Sequence, residues 1–266
     1  MLSEVFPKST AETVLLGLWL TACDGKPLPT DLVDYTDRML AAMRNPARWL
    51  FRNRAIRWMV HRGENRGIPG VCAHYGARKV RIQQLVDEIN PAVLVVLGAG
   101  LDGLAYMQAS RRTVAELDRG ELQSRKRSLL AQLPAKPITF VAADLPAGDN
   151  LPRFDKPTTY VAEGVFMYLT ESEVEQVLAE LPSGSTLIFT FVGLDDQGHP
   201  SMSANQAKID RMLEAMNEPF RWGIRPEQVE AFLNKNGFAL ASVSGVGCAE
   251  VDGMIHGEWI AHSTKR

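Results

Sequence analysis

The chain contains 266 residues, of which 45% are hydrophobic, and its formal net charge at pH 7 is -2. This length supports a domain with a substantial core, and the balanced charge provides no basic surplus for binding a nucleic acid or an anionic membrane. Three widely spaced cysteines, Cys23, Cys72 and Cys248, predict reduced thiols and argue against both a disulfide framework and a zinc site.

The first 90 residues predict a helical N-terminal extension that covers a site in the rest of the chain. Residues 14–20 are apolar and fall at the spacing of a core-facing helix stripe. They precede Leu20–Cys23, which is similar to a lipoprotein cleavage box, but Glu4, Lys8 and Glu12 stand where an exported protein needs a basic leader. No run approaches the roughly 18 apolar residues that span a bilayer. We therefore expect a cytoplasmic protein.

Two further apolar stripes are predicted before residue 91. The first is formed by Trp49, Phe51, Ile56, Met59 and Val60, and the glycines from Gly63 onward end it. The second places four apolar residues on one helix face, namely Ile82, Leu85, Val86 and Ile89. The pair Asn90-Pro91 ends this helix.

From residue 91 onward, short apolar runs alternate with helix patterns. Val93–Leu97 is a continuous valine-rich run, typical of a parallel strand buried on both faces. Further strands are predicted at Thr113–Leu117, Ile138–Ala142, Thr159–Ala162, Thr186–Val192 and Phe238–Val243, with a terminal strand at Met254–Ala261. This alternation predicts an α/β fold over residues 91–266, with a Rossmann-like, doubly wound and mostly parallel sheet and a helical insertion at about 194–225.

Two helices of this region have well-defined ends. A capping box from Thr170 to Glu173 begins one of them. Pro226 begins the other, and Gly237 follows its last turn. In a doubly wound sheet, ligands bind at the carboxyl ends of the strands. Residues that follow the predicted strands are therefore the first candidates for a site.

A glycine-rich loop follows the first predicted strand. Gly98, Gly100 and Gly103 let the backbone turn tightly and approach a ligand without interference from Cβ atoms. The helix that follows would present its N-terminal N–H groups to the same ligand. The sequence therefore predicts a nucleotide-type site at this loop.

Acidic residues end the next two predicted strands. Asp118 lies 20 residues beyond Gly98, with Glu116 two residues before it, and a carboxylate there can accept hydrogen bonds from ribose hydroxyls. Asp144 ends the following strand, where a carboxylate can accept from an adenine amine. Asp118 could instead cap the helix that follows it.

The three loop glycines also satisfy the GxGxxG pattern of dinucleotide-binding proteins. An NAD-dependent oxidoreductase and a non-catalytic nucleotide-binding module are thus alternative functions. Asp102 lies inside the loop and would repel a pyrophosphate, whereas it tolerates a cationic ligand such as S-adenosylmethionine. Asp102 therefore favours a methyltransferase.

Five blocks in order along the chain resemble the leucine carboxyl methyltransferase family. They are Tyr75–Arg78, Leu97–Asp102, Glu116–Asp118 with the downstream Lys126, Ala143–Leu145 and Glu163–Leu169. The likeness continues through Phe220–Ile224 and the helix at Pro226 to about residue 240, and only the first 70 residues or so lack a matching motif. Gly103–Ala105 departs from the family, because many relatives carry a Thr-Arg pair there.

This resemblance implies a class I methyltransferase fold with S-adenosylmethionine as cofactor. It implies that Arg78 pairs with the cofactor carboxylate and that Gly98 and Gly100 line its methionine part. The remaining cofactor contacts that it implies are Asp118 with the ribose, Asp144 and Leu145 with the adenine, and Glu163 with the amino-acid end. Arg81 competes for the role of Arg78, and both could instead form a solvated basic face.

The acceptor is less well defined by the sequence. The chain has no Ser/His/Asp or Cys/His constellation that would activate a hydroxyl, so we expect an acceptor that is already ionised, a carboxylate of a small molecule or of a peptide C-terminus. The segment Arg78–Arg81 is the expected source of positive charge for this carboxylate. The candidate catalytic residues are Glu163, Tyr168 and His74, although Glu163 could simply pair with a basic residue of the extension and Tyr168 could pack in the core. No metal is expected, and the oligomeric state stays open.

In the family, eukaryotic members methylate the C-terminal leucine carboxylate of a phosphatase, and many bacterial members act on small molecules. The acceptor therefore does not follow from the resemblance alone.

Overall fold

The protein is described from a computed structural model, which covers residues 7, 9–202, 205–246 and 257–266. Within the described residues, five helices precede the first strand: α1 (Thr10–Cys23), α2 (Thr30–Ala42), α3 (Ala47–Leu50), α4 (Arg54–Arg66) and α5 (Val71–Ile89). Helix α1 begins at the N-cap Ser9, whose side chain accepts a hydrogen bond from the backbone N–H of Glu12. The apolar run expected to form a helix stripe lies in α1, with Leu15, Leu18 and Leu20 buried.

The sheet contains all the strands that follow. They are β1 (Val93–Leu97), β2 (Thr113–Asp118), β3 (Ile138–Ala142), β4 (Thr158–Ala162), β5 (Thr186–Leu194), β6 (Pro200–Ser201), β7 (Phe238–Gly245) and β8 (Glu258–Lys265). Their order is β3-β2-β1-β4-β5-β8-β7, and β6 pairs with β5 outside this path. Strands β1 to β5 are parallel, and β8 runs antiparallel to β5 and β7. The predicted doubly wound α/β fold is confirmed.

The other helices alternate with the strands. They are α6 (Leu104–Gln108), α7 (Gly120–Leu130), α8 (Glu171–Glu180), α9 (Gln206–Ala215) and α10 (Val229–Lys235). The predicted capping box is present at the start of α8, and Pro226 begins a short 3-10 turn that leads into α10.

The strand order reverses direction between β1 and β4, because β1 continues to β2 on one side and pairs with β4 on the other. Such a switch point leaves a crevice at the carboxyl ends of the strands. All five residues of β1 and of β4 are buried, because both faces of the sheet are covered. The central strands thus form a rigid floor for the loops that follow them.

Three details of the fold differ from the sequence predictions. The last strand covers Glu258–Lys265 rather than Met254–Ala261, and residues 254–256 lie outside the described residues. The segment expected to be a helical insertion begins with the short strand β6 and contains one helix, α9. Gly63 lies inside α4 and does not end it.

The apolar stripe predicted for Trp49, Phe51, Ile56, Met59 and Val60 is correct only in part, because Phe51 is buried and Ile56 and Val60 pack half-buried against the core, whereas the other two residues are exposed. Trp49 is 60% exposed and Met59 is 56% exposed, and α4 has no buried residue at all. Helical spacing of apolar residues predicts a face, but it does not show that another element covers that face. Among the described residues, no helix combines the length and apolar character that crossing a bilayer requires. Cys23 and Cys72 are unpaired, and Cys248 lies outside the described residues.

Candidate active site

A cavity of about 440 Å³ opens at the carboxyl ends of β1, β2, β3 and β4. Its floor consists of the glycine loop after β1 and of the segments that follow the other three strands. Residues from α1, α2 and α5 form one wall, and residues from α9 and the segment after it form another. The N-terminal helices therefore close over the end of the sheet where ligands bind in this type of fold.

The glycine loop has a shape that side chains would prevent. Gly98 has φ +61°, and a Cβ atom added there would lie 2.5 Å from Cγ2 of Val165. Gly100 has φ +45° and lines the cavity. A Cβ atom on Gly103 would lie 2.4 Å from the ring of Tyr35. Gly98 and Gly100 thus present backbone without side chains to the cavity, and at Gly98 and Gly103 the loop packs too closely against Val165 and Tyr35 to carry a side chain.

Tyr35 of α2 holds the loop in place. Its hydroxyl donates to the carbonyl oxygens of Leu101 and Asp102, at 3.0 and 3.2 Å. The ammonium of Lys126 also donates to the Asp102 carbonyl, at 2.6 Å. Burial and the nearby carboxylates keep the pKa of Tyr35 well above its usual range, so this hydroxyl stays a donor.

Asp118 lies at the end of β2 beside the glycine loop. Its Oδ2 accepts from the backbone N–H of Gly100 at 2.6 Å, and its Oδ1 accepts from the N–H of Arg119 at 2.7 Å. It is buried but lines the cavity, and its carboxylate oxygens can each accept a second hydrogen bond. Asp144 is exposed at the end of β3, and it lines the cavity together with Leu145. The two strand-end acids therefore face one cavity, as their positions in the sequence predict.

Glu116 lies elsewhere, which corrects its expected role as a cofactor ligand. It is fully buried, it is not among the residues that line the cavity, and its carboxylate lies 2.8 Å from the ammonium of Lys126. Burial raises the pKa of Glu116 to about 7, against the opposing effect of Lys126. Glu116 lies inside the buried strand β2, two residues before Asp118 at its end, so it holds the glycine loop through Lys126 instead of meeting a ligand.

Five charged side chains form a buried cluster beside the glycine loop. Arg78 of α5 donates from Nε to Glu163 at 2.9 Å and from one terminal nitrogen to both oxygens of Glu258, at 3.0 and 2.9 Å. The ammonium of Lys79 lies 2.9 Å from Glu163 and 2.9 Å from Asp102. Two cations thus meet three carboxylates.

The charges in this cluster stabilise one another. Burial lowers the pKa values of Arg78 and Lys79, but the adjacent carboxylates outweigh it and raise both. Burial raises the pKa of Glu258, but Arg78 and His74 outweigh it and lower this pKa to about 2. The pKa of Asp102 is also lowered, because Lys79 and Lys126 outweigh its burial. Arg78, Lys79, Glu258 and Asp102 are therefore charged at neutral pH.

Glu163 has one oxygen that the described residues leave without a hydrogen-bond partner. Its Oε1 accepts from Arg78 and Lys79, while Oε2 is buried and unpaired among those residues. Glu163 lines the cavity, and only 3% of its side chain is exposed. An unpaired buried carboxylate oxygen is costly, so this atom fits a ligand that donates a hydrogen bond or carries positive charge.

Two of the candidate residues do not reach the cavity. His74 is fully buried, its Nε2 lies 2.5 Å from Glu258, and it is not among the lining residues, which corrects its expected role as a base. Arg81 lies one turn further along α5, where its guanidinium pairs with Glu88 at 3.4 Å and does not line the cavity. Neither a base at His74 nor a carboxylate anchor at Arg81 is consistent with these positions.

The half of the cavity next to α9, called the far half below, is apolar and rich in methionine. It is lined by Ile68, Val71, Met167, Met202, Ile209, Met212, Leu213 and Phe220. Tyr168 stands at this end, with its ring 5.9 Å from that of Phe220. Burial raises the pKa of Tyr168 above its ordinary value, so its hydroxyl is a donor and not a base.

Helix α1 is fastened to the segment that follows α9. The carboxylate of Glu218 accepts from the Thr10 hydroxyl at 2.6 Å and from the Thr10 backbone N–H at 3.2 Å. A carboxylate at a helix N-terminus is stabilised by the helix dipole. This contact holds the two walls of the cavity together above the floor.

Sequence reasoning missed Lys79, Glu258 and Tyr35 as parts of the site. Lys79 falls within the segment Arg78–Arg81 that is expected to supply positive charge, but its position next to Arg78 is the only local indication of its role. Glu258 and Tyr35 meet the site through contacts across 180 and 66 residues of chain. Among the described residues, no group of three or more His, Cys, Asp or Glu has the arrangement of a metal site.

The chain matches the sequence profile of the leucine carboxyl methyltransferase family over residues 27–181, more than half of its length. The match begins upstream of the motifs in Tyr75–Arg78, so the family likeness includes helices that carried no recognisable motif. A curated protein of Mycolicibacterium paratuberculosis, named "Putative S-adenosyl-L-methionine-dependent methyltransferase", is 37% identical over 97 residues. This segment covers 32% of the chain and 31% of that protein, so the chain spans about a third of the relative's length.

Solved structures share the fold at low sequence identity. A Burkholderia thailandensis 1,6-didemethyltoxoflavin-N1-methyltransferase with bound S-adenosylhomocysteine has a TM-score of 0.52 and 19% identity, over 71% of this chain and 78% of that one. A duf574 family protein of Streptomyces avermitilis has a TM-score of 0.51 and 17% identity, over 94% and 97%. Mitomycin 7-O-methyltransferase has a TM-score of 0.53 and 13% identity, over 96% and 75%. The architecture is therefore that of class I methyltransferases.

Proposed function

The chain belongs to the leucine carboxyl methyltransferase family, a family of S-adenosylmethionine-dependent methyltransferases, and from this premise we propose that it transfers a methyl group from S-adenosylmethionine to a carboxylate oxygen. The acceptor would be a small molecule or a peptide C-terminus. The observation that carries the cofactor assignment is the unpaired Oε2 of Glu163 on a cavity whose charged cluster has more carboxylates than cations. That surplus suits a cofactor with a sulfonium and an ammonium group.

The residues around the cavity fit each part of the cofactor. Glu163 Oε2 would accept from the ammonium group, and Arg78 would donate to the cofactor carboxylate from the terminal nitrogen that bonds to no described residue. Asp118 would accept from the ribose hydroxyls. Asp144 and Leu145 would meet the adenine, and the bare cavity side of Gly98 and Gly100 would admit the methionine part. A pyrophosphate at the glycine loop would meet Asp102 with like charge, so the family and the site both disfavour an NAD-dependent oxidoreductase.

The cofactor supplies an electrophilic methyl group, and the contribution of the chain is alignment and the exclusion of water. Helices α1 and α2 line the cavity, which supports the proposal that residues 1–90 act as a lid-like extension over a core of residues 91–266. The methionines and Phe220 in the far half offer adaptable apolar surface for the acceptor body. Glu163 and Tyr168 border the reacting region, where Glu163 would orient the cofactor and Tyr168 would donate a hydrogen bond to the acceptor.

The side chains that line the cavity support an acceptor that is already ionised. Among the described residues, no histidine or cysteine lines it, and burial raises the pKa values of Tyr75 and Tyr168. A hydroxyl acceptor would need a base that titrates near neutral pH, whereas a carboxylate needs none. Arg221 supplies the positive charge in place of Arg81, because it lines the cavity and its only carboxylate partner among the described residues, Glu173, is 3.4 Å away.

We expect S-adenosylhomocysteine to bind with a Kd in the micromolar range, about -8 kcal/mol, and NAD not to bind. Replacing Asp118 with alanine should weaken this binding by about 1–3 kcal/mol, because ribose hydrogen bonds to a charged group are lost and Gly100 loses its acceptor. Isothermal calorimetry measures both ligands. Asp149→Ala, an exposed carboxylate elsewhere, is the matched control and should change nothing. Binding of NAD without S-adenosylhomocysteine would contradict the proposed function.

The acceptor prediction is tested by a methylation screen with labelled cofactor across carboxylic acids, phenols and amines. We expect a carboxylic acid with an apolar body to be methylated and the product to lose its label in mild alkali, since esters hydrolyse there and ethers do not. Arg221→Met should raise the acceptor KM at least several-fold and leave the cofactor KM unchanged, while Arg81→Met should change neither. If kcat increases with pH as a group with a pKa near 7 loses its proton, the acceptor is a hydroxyl or an amine. A methylated product that is stable in alkali would indicate the same.

A further inference from the structure

The outer face of α4 carries large apolar side chains and arginines together. Trp58 is 61% exposed and Met59 is 56% exposed, and Trp49 on the preceding helix α3 is 60% exposed. These are the exposed large hydrophobic residues of the part of the chain that the structure describes. Their concentration on two consecutive helices is unexpected for a surface that contacts only water, because exposed apolar residues are usually scattered.

The charge of this region is strongly one-sided. Residues 44–66 contain seven arginines and a single acidic residue, Glu64, in a chain whose net charge is -2. Glu64 is turned inward, where it binds His61 and the backbone N–H of Cys72. Arg48 and Arg57 are neutralised by ion pairs with aspartates. The average charge of the chain therefore conceals a local basic surface.

Three of the remaining arginines form one stripe with a tryptophan. Arg54, Trp58, Arg62 and Arg66 follow one another at intervals of four residues, so they lie along one side of the helix. None of these three arginines has a carboxylate partner among the described residues. The guanidinium of Arg62 lies 5.5 Å from the centre of the Trp58 ring, and Met59 lies beside the stripe. The 13 residues of α4 extend about 20 Å at 1.5 Å per residue.

We propose that this face, formed by Arg54, Trp58, Met59, Arg62 and Arg66, docks the protein on the surface of an anionic phospholipid bilayer. Tryptophan and methionine would enter the interface between headgroups and acyl chains, and the arginines would bind lipid phosphates. The positive charge of the three arginines favours an anionic bilayer surface over a neutral one. The exposed apolar residues favour a bilayer over a nucleic acid, since phosphate binding alone gives no role to Met59.

Docking through this face would bring the bilayer close to the cavity. Helix α4 ends at Arg66, and Ile68 and Val71, the next apolar residues along the chain, line the far half of the cavity. The backbone carbonyl of Arg66 also accepts from Lys208 of α9, which forms the opposite wall. A bilayer under α4 would therefore lie near the apolar half of the cavity. The docking itself requires neither cofactor nor acceptor and stands apart from the proposed reaction.

The test is flotation of the purified full chain with vesicles of phosphatidylcholine alone or with 30% phosphatidylglycerol, at about 0.1 M salt. We expect binding to the anionic vesicles and at least 50-fold weaker binding to the neutral ones. A lysine or arginine near an anionic surface contributes about five-fold in affinity, so the triple variant Arg54→Glu, Arg62→Glu, Arg66→Glu should lose more than 100-fold. The double variant Trp58→Ser, Met59→Ser should lose at least ten-fold without any change in charge.

The matched control is Arg153→Glu, Lys156→Glu, Arg211→Glu, which makes the same charge change at exposed positions elsewhere and should bind like the native chain. Thermal melting and S-adenosylhomocysteine binding of each variant show that it is folded. Three results would overturn the proposal: equal binding to both vesicle types, equal loss in the control variant, or no effect of the Trp58 and Met59 substitutions. Failure to bind vesicles together with binding to a polyanion such as RNA would also overturn it and identify a different partner.

Discussion

Replacing Arg78 with methionine is expected to lower the free energy of unfolding by about 3–5 kcal/mol and to abolish measurable binding of S-adenosylhomocysteine. The guanidinium is the only group that joins Glu163 to Glu258 directly in the buried cluster, through bonds of 2.9 to 3.0 Å. Removing one partner of a buried ion pair leaves the other charge uncompensated, which costs more than the pair itself contributes. Urea unfolding measures the first effect and calorimetry the second.

Glu163 and Glu258 should respond differently to the loss of Arg78. Glu163 keeps Lys79 as a partner at 2.9 Å, whereas His74 is the one charged or polar side-chain partner that Glu258 keeps within the described part of the chain. Most of the destabilisation should therefore come from Glu258. Arg81→Met on the same helix is the matched control, because its guanidinium is partly exposed and pairs only with Glu88 at the surface, so it should change stability by less than about 0.5 kcal/mol.

The pH dependence of stability provides a second check on the same substitution. The folded-state pKa of Glu258 is about 2, below its ordinary value of 4.5. Its contribution to stability is therefore fully present above about pH 4.5 and is lost as the pH falls toward 2, by an amount on the order of 3 kcal/mol. Without Arg78 the pKa of Glu258 should rise, and this acid-side loss should become smaller. An unchanged acid-side profile in Arg78→Met would show that Glu258 is not held by Arg78.

The central strands were predictable because their environment leaves a local pattern. A parallel strand covered on both faces is a continuous apolar run, so the bounds of β1 agree with the sequence prediction residue for residue and those of β4 differ by one. The capping box of α8 is likewise a pattern within four residues. The glycine loop and the acids Asp118 and Asp144 share one cavity because the carboxyl ends of parallel strands share one edge of the sheet.

The ionic cluster could not be predicted in the same way. Whether Arg78 faces solvent or a carboxylate depends on β8, which is 180 residues away along the chain. His74 and Arg81 lie on the same helix as Arg78, and helical spacing alone does not show which of the three faces the cavity. The exposed Trp49 and Met59 illustrate the same limit, because an apolar face at helical spacing says nothing about what covers it.

Gly98→Ala is the second substitution with a large expected effect. A left-handed φ of +61° costs an alanine about 1–2 kcal/mol, and the new Cβ atom at 2.5 Å from Val165 adds about 1–3 kcal/mol of overpacking. We expect a total loss of about 2–5 kcal/mol in the free energy of unfolding. The affinity for S-adenosylhomocysteine should fall at least ten-fold, because the loop must shift away from the strand ends that it joins.

Two control variants separate the cost of the backbone conformation from the cost of the contact with Val165. Gly148 has φ +54° and nothing within 4 Å of an added Cβ atom, so Gly148→Ala should show the backbone cost alone, with unchanged cofactor affinity. In the double variant Gly98→Ala, Val165→Ala the methyl groups that meet the new Cβ atom are gone, since both close contacts are with Cγ1 and Cγ2 of Val165. Its stability loss should therefore be smaller than the sum of the two single losses, with a coupling of about 1–3 kcal/mol, and part of the cofactor affinity should return. Additive losses would mean that the loop relaxes away from Val165 and that its tight packing does not set the shape of the site.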